Sequence, residues 1–178
     1  MQGRPTPSGR SVWDLPLRVA HWTLALSITV AYATANVLDA VHNVAGYLAL
    51  ALVAFRVLWG FTGTRYSRFS ASVRSPAAVL RYLRGLLRGH PGRYLGLNPA
   101  GAAMLIAMLA LAAVSALSGW MQLTVRFFGV WWVEAIHTWS SHLVAALAVV
   151  HVVAVVAVSI LQRENLARSM ITGRKRDR

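Results

Sequence analysis

Six histidines and no cysteine mark out the chemistry open to this chain of 178 residues. Without thiolates, disulfides and iron–sulfur clusters are excluded, and any metal must be held mainly by histidine. Four of the six, His21, His42, His137 and His151, fall in or at the ends of long apolar stretches in a pattern that helical geometry can test. An ionisable side chain is costly there and usually faces the interior of a bundle or a site. His137 and His151 stand fourteen residues apart, so a helix returns them to within about 40° of one face, roughly 21 Å apart along its axis. They point into the same interior at two levels. His142 is turned about 140° from His137 and about 180° from His151, so it cannot share that face. It is read as pairing with a neighbouring helix or with a lipid headgroup. His90 is given no role, and no catalytic residue is assigned.

The elements that must position these side chains emerge from composition. Hydrophobic residues make up 57% of the chain, charged residues 13%, and mean hydropathy is +0.53, which points to an integral membrane protein. Four stretches, approximately 19–38, 41–61, 100–121 and 137–161, are long and apolar enough to cross a hydrocarbon core of about 30 Å. The first comes after Arg4, Arg10 and Arg18 but is too long for the apolar region of a signal peptide and lacks a clear cleavage site before Asp39. It is read as a retained helix, and its short link to the second makes the two antiparallel neighbours.

The net charge of +13 is explained by where the charges fall. Arg65, Arg68, Arg74, Arg81, Arg84, Arg88 and Arg93 lie in the loop 62–99. Arg163, Arg168, Arg174, Lys175, Arg176 and Arg178 lie in the tail 162–178. The other side carries only Arg126, with Asp39 and Glu134. This positive-inside pattern predicts both termini in the cytoplasm, and it reads as contact with anionic lipid rather than nucleic acid. Trp13, Trp22 and Trp59 at the cytoplasmic ends and Trp120, Trp131 and Trp132 at the outer ends fit the same frame. Within the loop, SPAAVLRYLRGLLRG offers Ser75 as N-cap and Pro76 at the first helical position. Val79, Leu80, Leu83, Leu86 and Leu87 form one stripe and Arg81, Arg84 and Arg88 another face, as in a short helix lying in the membrane interface. The expected fold is therefore all-α: one integral membrane four-helix bundle spanning residues 1–178, with a basic loop and tail.

With this topology, His42 and His137 share the outer level, while His21 and His151 share the inner one. One neutral imidazole from each of two facing helices is the axial arrangement that holds a six-coordinate haem iron inside a bundle. Zinc or copper would want three or four ligands close together. Haem propionates need a counter-charge. Arg56, near the cytoplasmic end of the second stretch, and Arg18, three residues before His21, could each supply it, although Arg56 could equally snorkel to the surface. Gly46, one turn after His42, leaves room for a macrocycle or serves helix packing.

The stretches VWDLPLRVAHW, HNVAGYLALALVAFRVLWGFTG with RYSRF, NPAGAAMLIAMLALAAVSALSGW, and IHTWSSHLVAALAVVHV leading to RENLARSMITG resemble, in order, the bacterial cytochrome b561 and nickel-hydrogenase b-type cytochrome family. The resemblance runs from Val12 to Gly173. It implies a four-helix bundle with two b-type haems in the bacterial cytoplasmic (inner) membrane, exchanging electrons with ubiquinone or another quinone. The family's haem-ligating histidines fall on His21, His42, His137 and His151, and its second-helix arginine falls on Arg56. The shortness of the chain favours the b561-like branch over a hydrogenase anchor.

The function implied is that of an electron-transfer protein or quinone-linked oxidoreductase, moving single electrons between an outer-face donor or acceptor and quinone. One version oxidises superoxide at the outer face, where Arg126 could draw in an anion. Another serves as membrane anchor for a periplasmic c-type cytochrome or a hydrogenase-like oxidoreductase. A non-redox scaffold or proton-coupled transporter is the reading of another class, and the scarcity of acids in the helices speaks against it.

Overall fold

Four helices in this chain start where a side-chain oxygen can accept an otherwise unpaired backbone N–H. Asp14 caps α1 (Leu15–Thr34), Ser75 caps α4 (Pro76–Leu87), Asn98 caps α5 (Pro99–Gln122) and Asn165 caps α7 (Leu166–Thr172). Proline occupies the first turn of α1, α4 and α5, where its missing N–H costs nothing. The computed structural model describes residues 9–176. Arg4 and Arg178, which entered the charge pattern, lie outside the described residues. The remaining elements are β1 (Gly9–Ser11), α2 (Asp39–Thr62), the single turn α3 (Phe69–Ser72), α6 (Trp131–Gln162) and β2 (Arg174–Arg176).

Three helices, α2, α5 and α6, are long and apolar enough to cross a membrane. The fourth stretch expected to do so, α1, has 20 residues and falls short in hydropathy, because Arg18, His21 and several Ser and Thr residues dilute its aliphatic side chains. Its limits also move from 19–38 to Leu15–Thr34. Asp14 starts the helix early, and the backbone N–H groups of Val37 and Leu38 turn back onto the Thr34 carbonyl and end it early. At the other extreme, α6 begins at Trp131 rather than near 137, since Val133 and Glu134 already donate to the Val130 carbonyl.

Backbone packing joins α1 to α2, α2 to α5 and α5 to α6. Val53, Leu109, Ala112 and Val144 form the buried core among α2, α5 and α6, with Leu24 and Ile28 of α1 against it. Large side chains such as Val149, Val152, Val153 and Val156 are left exposed along α6. In a helix whose backbone is internally satisfied, an exposed aliphatic face of this length is suited to lipid.

The all-α expectation needs correction at the termini. β1 and β2 pair antiparallel, with Gly9 opposite Arg176 and Ser11 opposite Arg174. The tail 162–178, read as a basic extension, therefore contains α7 and a strand. Three-residue strands have no detectable period, and their pairing is a contact between opposite ends of the chain. The Gly173 carbonyl accepts from the N–H groups of both Val12 and Trp13, so the two termini meet at one end of the bundle.

Asp14 organises that end. Its carboxylate accepts from the Leu17 N–H at 2.9 Å, from Trp59 Nε1 at 3.2 Å, from Thr64 Oγ1 at 2.5 Å and from Ser67 Oγ at 2.6 Å. One side chain thus fastens the start of α1 to the end of α2 and the loop beyond it. Val12, Trp13 and Leu17 bury against Trp59, Tyr66, Leu97 and Met170 around it. Lys175 reaches into the same layer, donating to the carbonyls of Tyr94 and Gly96 and lying 5.6 Å from the centre of the Trp13 ring.

Burial alone would raise the Asp14 pKa, but the hydrogen bonds from Ser67, Thr64, the Leu17 backbone and Trp59 outweigh it and hold the group below its ordinary value of 3.8. A lowered folded-state value means that the stabilisation is present above the ordinary carboxylate range and disappears as pH falls through the lowered value. Asp14→Ala should cost about 2 kcal/mol, from the lost cap and the stranded donors. Thermal unfolding in detergent across pH 3–7 checks both points: the variant should differ most from wild type at neutral pH and converge with it in acid.

Candidate haem-binding site

The histidines come together as spacing and topology suggest. His42 of α2 and His137 of α6 have ring centres 6.0 Å apart and nearly perpendicular, at 89°. His21 of α1 and His151 of α6 have ring centres 6.3 Å apart at 60°. A metal–imidazole bond is about 2.0 Å. With the ring centre roughly 1 Å further on, two imidazoles facing one another across a metal put their centres about 6 Å apart. Both pairs have that spacing, although the α6 backbone stands back from α1 and α2. The histidine side chains reach across an interval where close backbone packing is sparse.

The first pair is also prepared chemically. His42 Nδ1–H donates to the Ala31 carbonyl and His137 Nδ1–H to the Ser115 carbonyl, each at 2.8 Å. A carbonyl only accepts, so the proton is on Nδ1 and the Nε2 lone pair is left for a metal. Among the described residues, no three His, Asp or Glu side chains gather in one place. Two imidazoles per level fit a metal whose other positions are filled by a planar macrocycle. They do not make a zinc cage.

Helices α2 and α6 run in the same direction, and the fourteen-residue step from His137 to His151 is matched by the step from His42 to Arg56. Arg56 therefore stands at the level of His151. Its side chain is 8% exposed, its guanidinium lies 5.0 Å from the centre of the Phe69 ring, and its Nη1 has no hydrogen-bond partner among the described residues. A buried guanidinium nitrogen left without a hydrogen-bond partner is expensive. An anionic group at this level would match it. Phe69 reaches this position because Gly60, one turn after Arg56, has no Cβ; one placed there would clash with the ring.

Arg18 is turned elsewhere. Its Nη1 donates to the Ile171 carbonyl and its guanidinium packs on Gly173, while its buried Nε has no partner among the described residues. Gly46 faces open space, with nothing within 4 Å of an added Cβ, which fits a cradle for a bulky planar group rather than a tight helix contact. His142 bonds through Nδ1 to the Tyr32 hydroxyl at 2.9 Å, linking α6 to α1 on a different face from His137.

Sequence reasoning missed Gly119. A Cβ there would come within 2.9 Å of His137 Cε1 and 3.0 Å of Nδ1, so only glycine lets the imidazole lie against α5 and reach the Ser115 carbonyl. Its one visible signal is a small residue in an aliphatic helix, which many helix contacts share.

Known proteins share this frame. Residues 12–173 match the family described as prokaryotic cytochrome b561. A probable Ni/Fe-hydrogenase B-type cytochrome subunit of Bradyrhizobium diazoefficiens is 28% identical over 223 residues, covering 99% of this chain and 88% of that protein. Its counterpart in Cupriavidus necator is 27% identical over 213 residues, covering 91% and 85%. Both alignments are longer than the chain, so these relatives carry insertions within a shared frame, and the shortness of the chain no longer argues against the hydrogenase branch. No solved structure matches the chain.

Gly119→Ala should displace the His137 ring and weaken haem binding by ~10-fold, as loss of an outer-shell partner does. Ser115→Ala keeps the backbone acceptor and should leave binding unchanged. Haem content from the pyridine haemochrome spectrum of each purified variant measures the difference.

Proposed function

Because the chain belongs to the prokaryotic cytochrome b561 family, we propose that this b-type cytochrome holds two haems, one between His42 and His137 and one between His21 and His151, and passes single electrons between the two faces of the membrane. The observation that carries the reading is the pair of cross-helix imidazole contacts at 6.0 and 6.3 Å, spanning an interval that the helix backbones leave open. A haem with histidine on both sides has no open coordination position and changes its charge by one electron at a time.

The protein's own residues do the rest. The carbonyls of Ala31 and Ser115 fix the tautomer and orientation of His42 and His137 and raise their basicity as ligands. Arg56 supplies the counter-charge for propionates at the second level; Arg18, held to Ile171, has a smaller part. Gly46 leaves space beside His42. The two levels are separated by roughly 21 Å along α6, and Val53, Leu109, Ala112 and Val144 keep the intervening core apolar.

All four long helices cross the bilayer in this reading. The meeting of β1 with β2 at one end supports it, since termini on one side require an even number of crossings. The concentration of arginines at that end supports a cytoplasmic placement of it in a bacterial inner membrane. The leucines of α4 left outward, Leu80, Leu83 and Leu87, suit a helix resting in the interface.

Electrons pass between membrane quinone and a partner oxidoreductase docked at the outer face. The names of the hydrogenase cytochrome subunits favour a partner of that class. Superoxide as the outer donor draws on the exposed Arg126 alone. Stopped-flow mixing of oxidised protein with superoxide, set beside co-purification with a hydrogenase-like partner, distinguishes these two donors.

His151→Ala should remove about half the haem, leaving the other level's spectrum, and His42→Ala should remove the complementary half. His142→Ala loses only the Tyr32 contact and should keep both. Two low-spin components separable by redox titration are expected in the wild type. One component, or unchanged haem in His151→Ala, would sink the assignment.

A further inference from the structure

At the end that carries the termini, a cavity of about 350 Å³ opens between the loop after α4 and the end of α6. Its lining includes His90, Arg93, Gln162, Arg163, Glu164 and Arg176. Arg93, Arg163 and Arg176 line it beside a single carboxylate. Glu164 is itself already matched, by Arg93 Nη2 at 3.1 Å and by the Arg176 N–H at 3.0 Å. Arg163 has no hydrogen bond or ion pair from its side chain among the described residues. His90 commits its Nδ1–H to the Arg88 carbonyl.

The backbone holds Arg163 at the mouth in an uncommon way. It is the sole non-glycine residue with positive φ among the described residues, at 50°. A side chain other than glycine in the left-handed region is uncommon and is held there by its surroundings. Here the Arg163 and Glu164 N–H groups close the end of α6 onto the Ile160 and Ser159 carbonyls. Opposite, Gly89 turns the loop with φ of 76°. The negative end of the α6 dipole opposes an anion here, but it is a fraction of a charge against Arg163 and Arg176, which have no ion pair among the described residues. Leu161 lines the wall, so the cavity sits where the hydrocarbon-length part of α6 gives way to polar chain.

We infer that this cavity binds a phosphate group, presented by an anionic phospholipid headgroup or as free phosphate. Arginine forks match phosphate oxygens in geometry as well as charge, and basic pockets at helix ends on membrane surfaces take lipid headgroups. The volume accommodates a glycerophosphate.

The test uses full-length protein purified from mixed phosphatidylglycerol and phosphatidylcholine, with retained lipid counted by native mass spectrometry. Wild type should keep one phosphatidylglycerol in preference to phosphatidylcholine. Arg163→Gln should bind it about 10-fold more weakly, the loss expected of one charge-assisted contact. Arg176→Gln, which keeps the backbone N–H to Glu164, should do the same independently of the strained turn. Arg84→Gln removes an equal charge from α4, outside the cavity, and should change nothing. Displacement of the retained lipid by millimolar inorganic phosphate makes the free ion a ligand as well; failure of phosphate to displace it restricts the site to headgroups. Equal losses in Arg84→Gln and Arg163→Gln would reduce the effect to diffuse attraction and overturn the site, as would undiminished retention in both pocket variants.

Discussion

A helix surrounded by hydrocarbon gains almost nothing hydrophobic by exchanging lipid for another helix, so bundles in membranes depend on close packing and on specific polar contacts. That constraint bears hardest on α6. Among the long helices its backbone packs most closely against α5, and it faces α1 and α2 across a wider interval. Imidazoles cross that interval: His137 toward His42, His151 toward His21, and His142 onto Tyr32. A group ligated by the first two pairs would then be a structural member of the bundle as well as its redox centre, because binding that requires the folded arrangement stabilises it.

The two ends of the molecule solve different problems. At the end carrying the termini, helix ends are tied by hydrogen bonds converging on Asp14, by the Gly173 carbonyl and by the short β1–β2 pair. This layer is built largely from polar groups and aromatic edges, which remain effective at a wet boundary. The opposite end has only brief links, Ala35 to Leu38 and the segment after Gln122, and leaves large side chains such as Val125, Phe128 and Trp131 exposed. The surface there is the more apolar of the two, as suits a membrane interface.

Much of the candidate site's geometry was legible because helical geometry is rigid. A fourteen-residue spacing in a helix has one angular meaning and one depth, so face and level of His137 and His151 come from counting. The Ser75 cap with Pro76 was legible for the same reason, being a local rule. Features created by two distant segments at once could not be read. The acceptor carbonyls of Ala31 and Ser115 belong to residues with no distinctive side chain. Gly119 is defined by the ring that lies on it, and the start of α1 depends on Asp14 being shared with Trp59, Thr64 and Ser67. The polar character of α1, which sets it below α2, α5 and α6 in hydropathy, comes partly from Arg18 and His21, two of the candidate site residues.

The matched fourteen-residue steps on α2 and α6 make the two levels a single mechanical gauge. Inserting one residue between His42 and Arg56, or between His137 and His151, would turn everything beyond it by about 100° and carry the second level off the shared face while the first stayed in place. Changes of length are therefore tolerable only outside these two intervals. A chain of this design can lengthen its loops freely, but the separation of its two histidine levels is written into the helices and cannot drift.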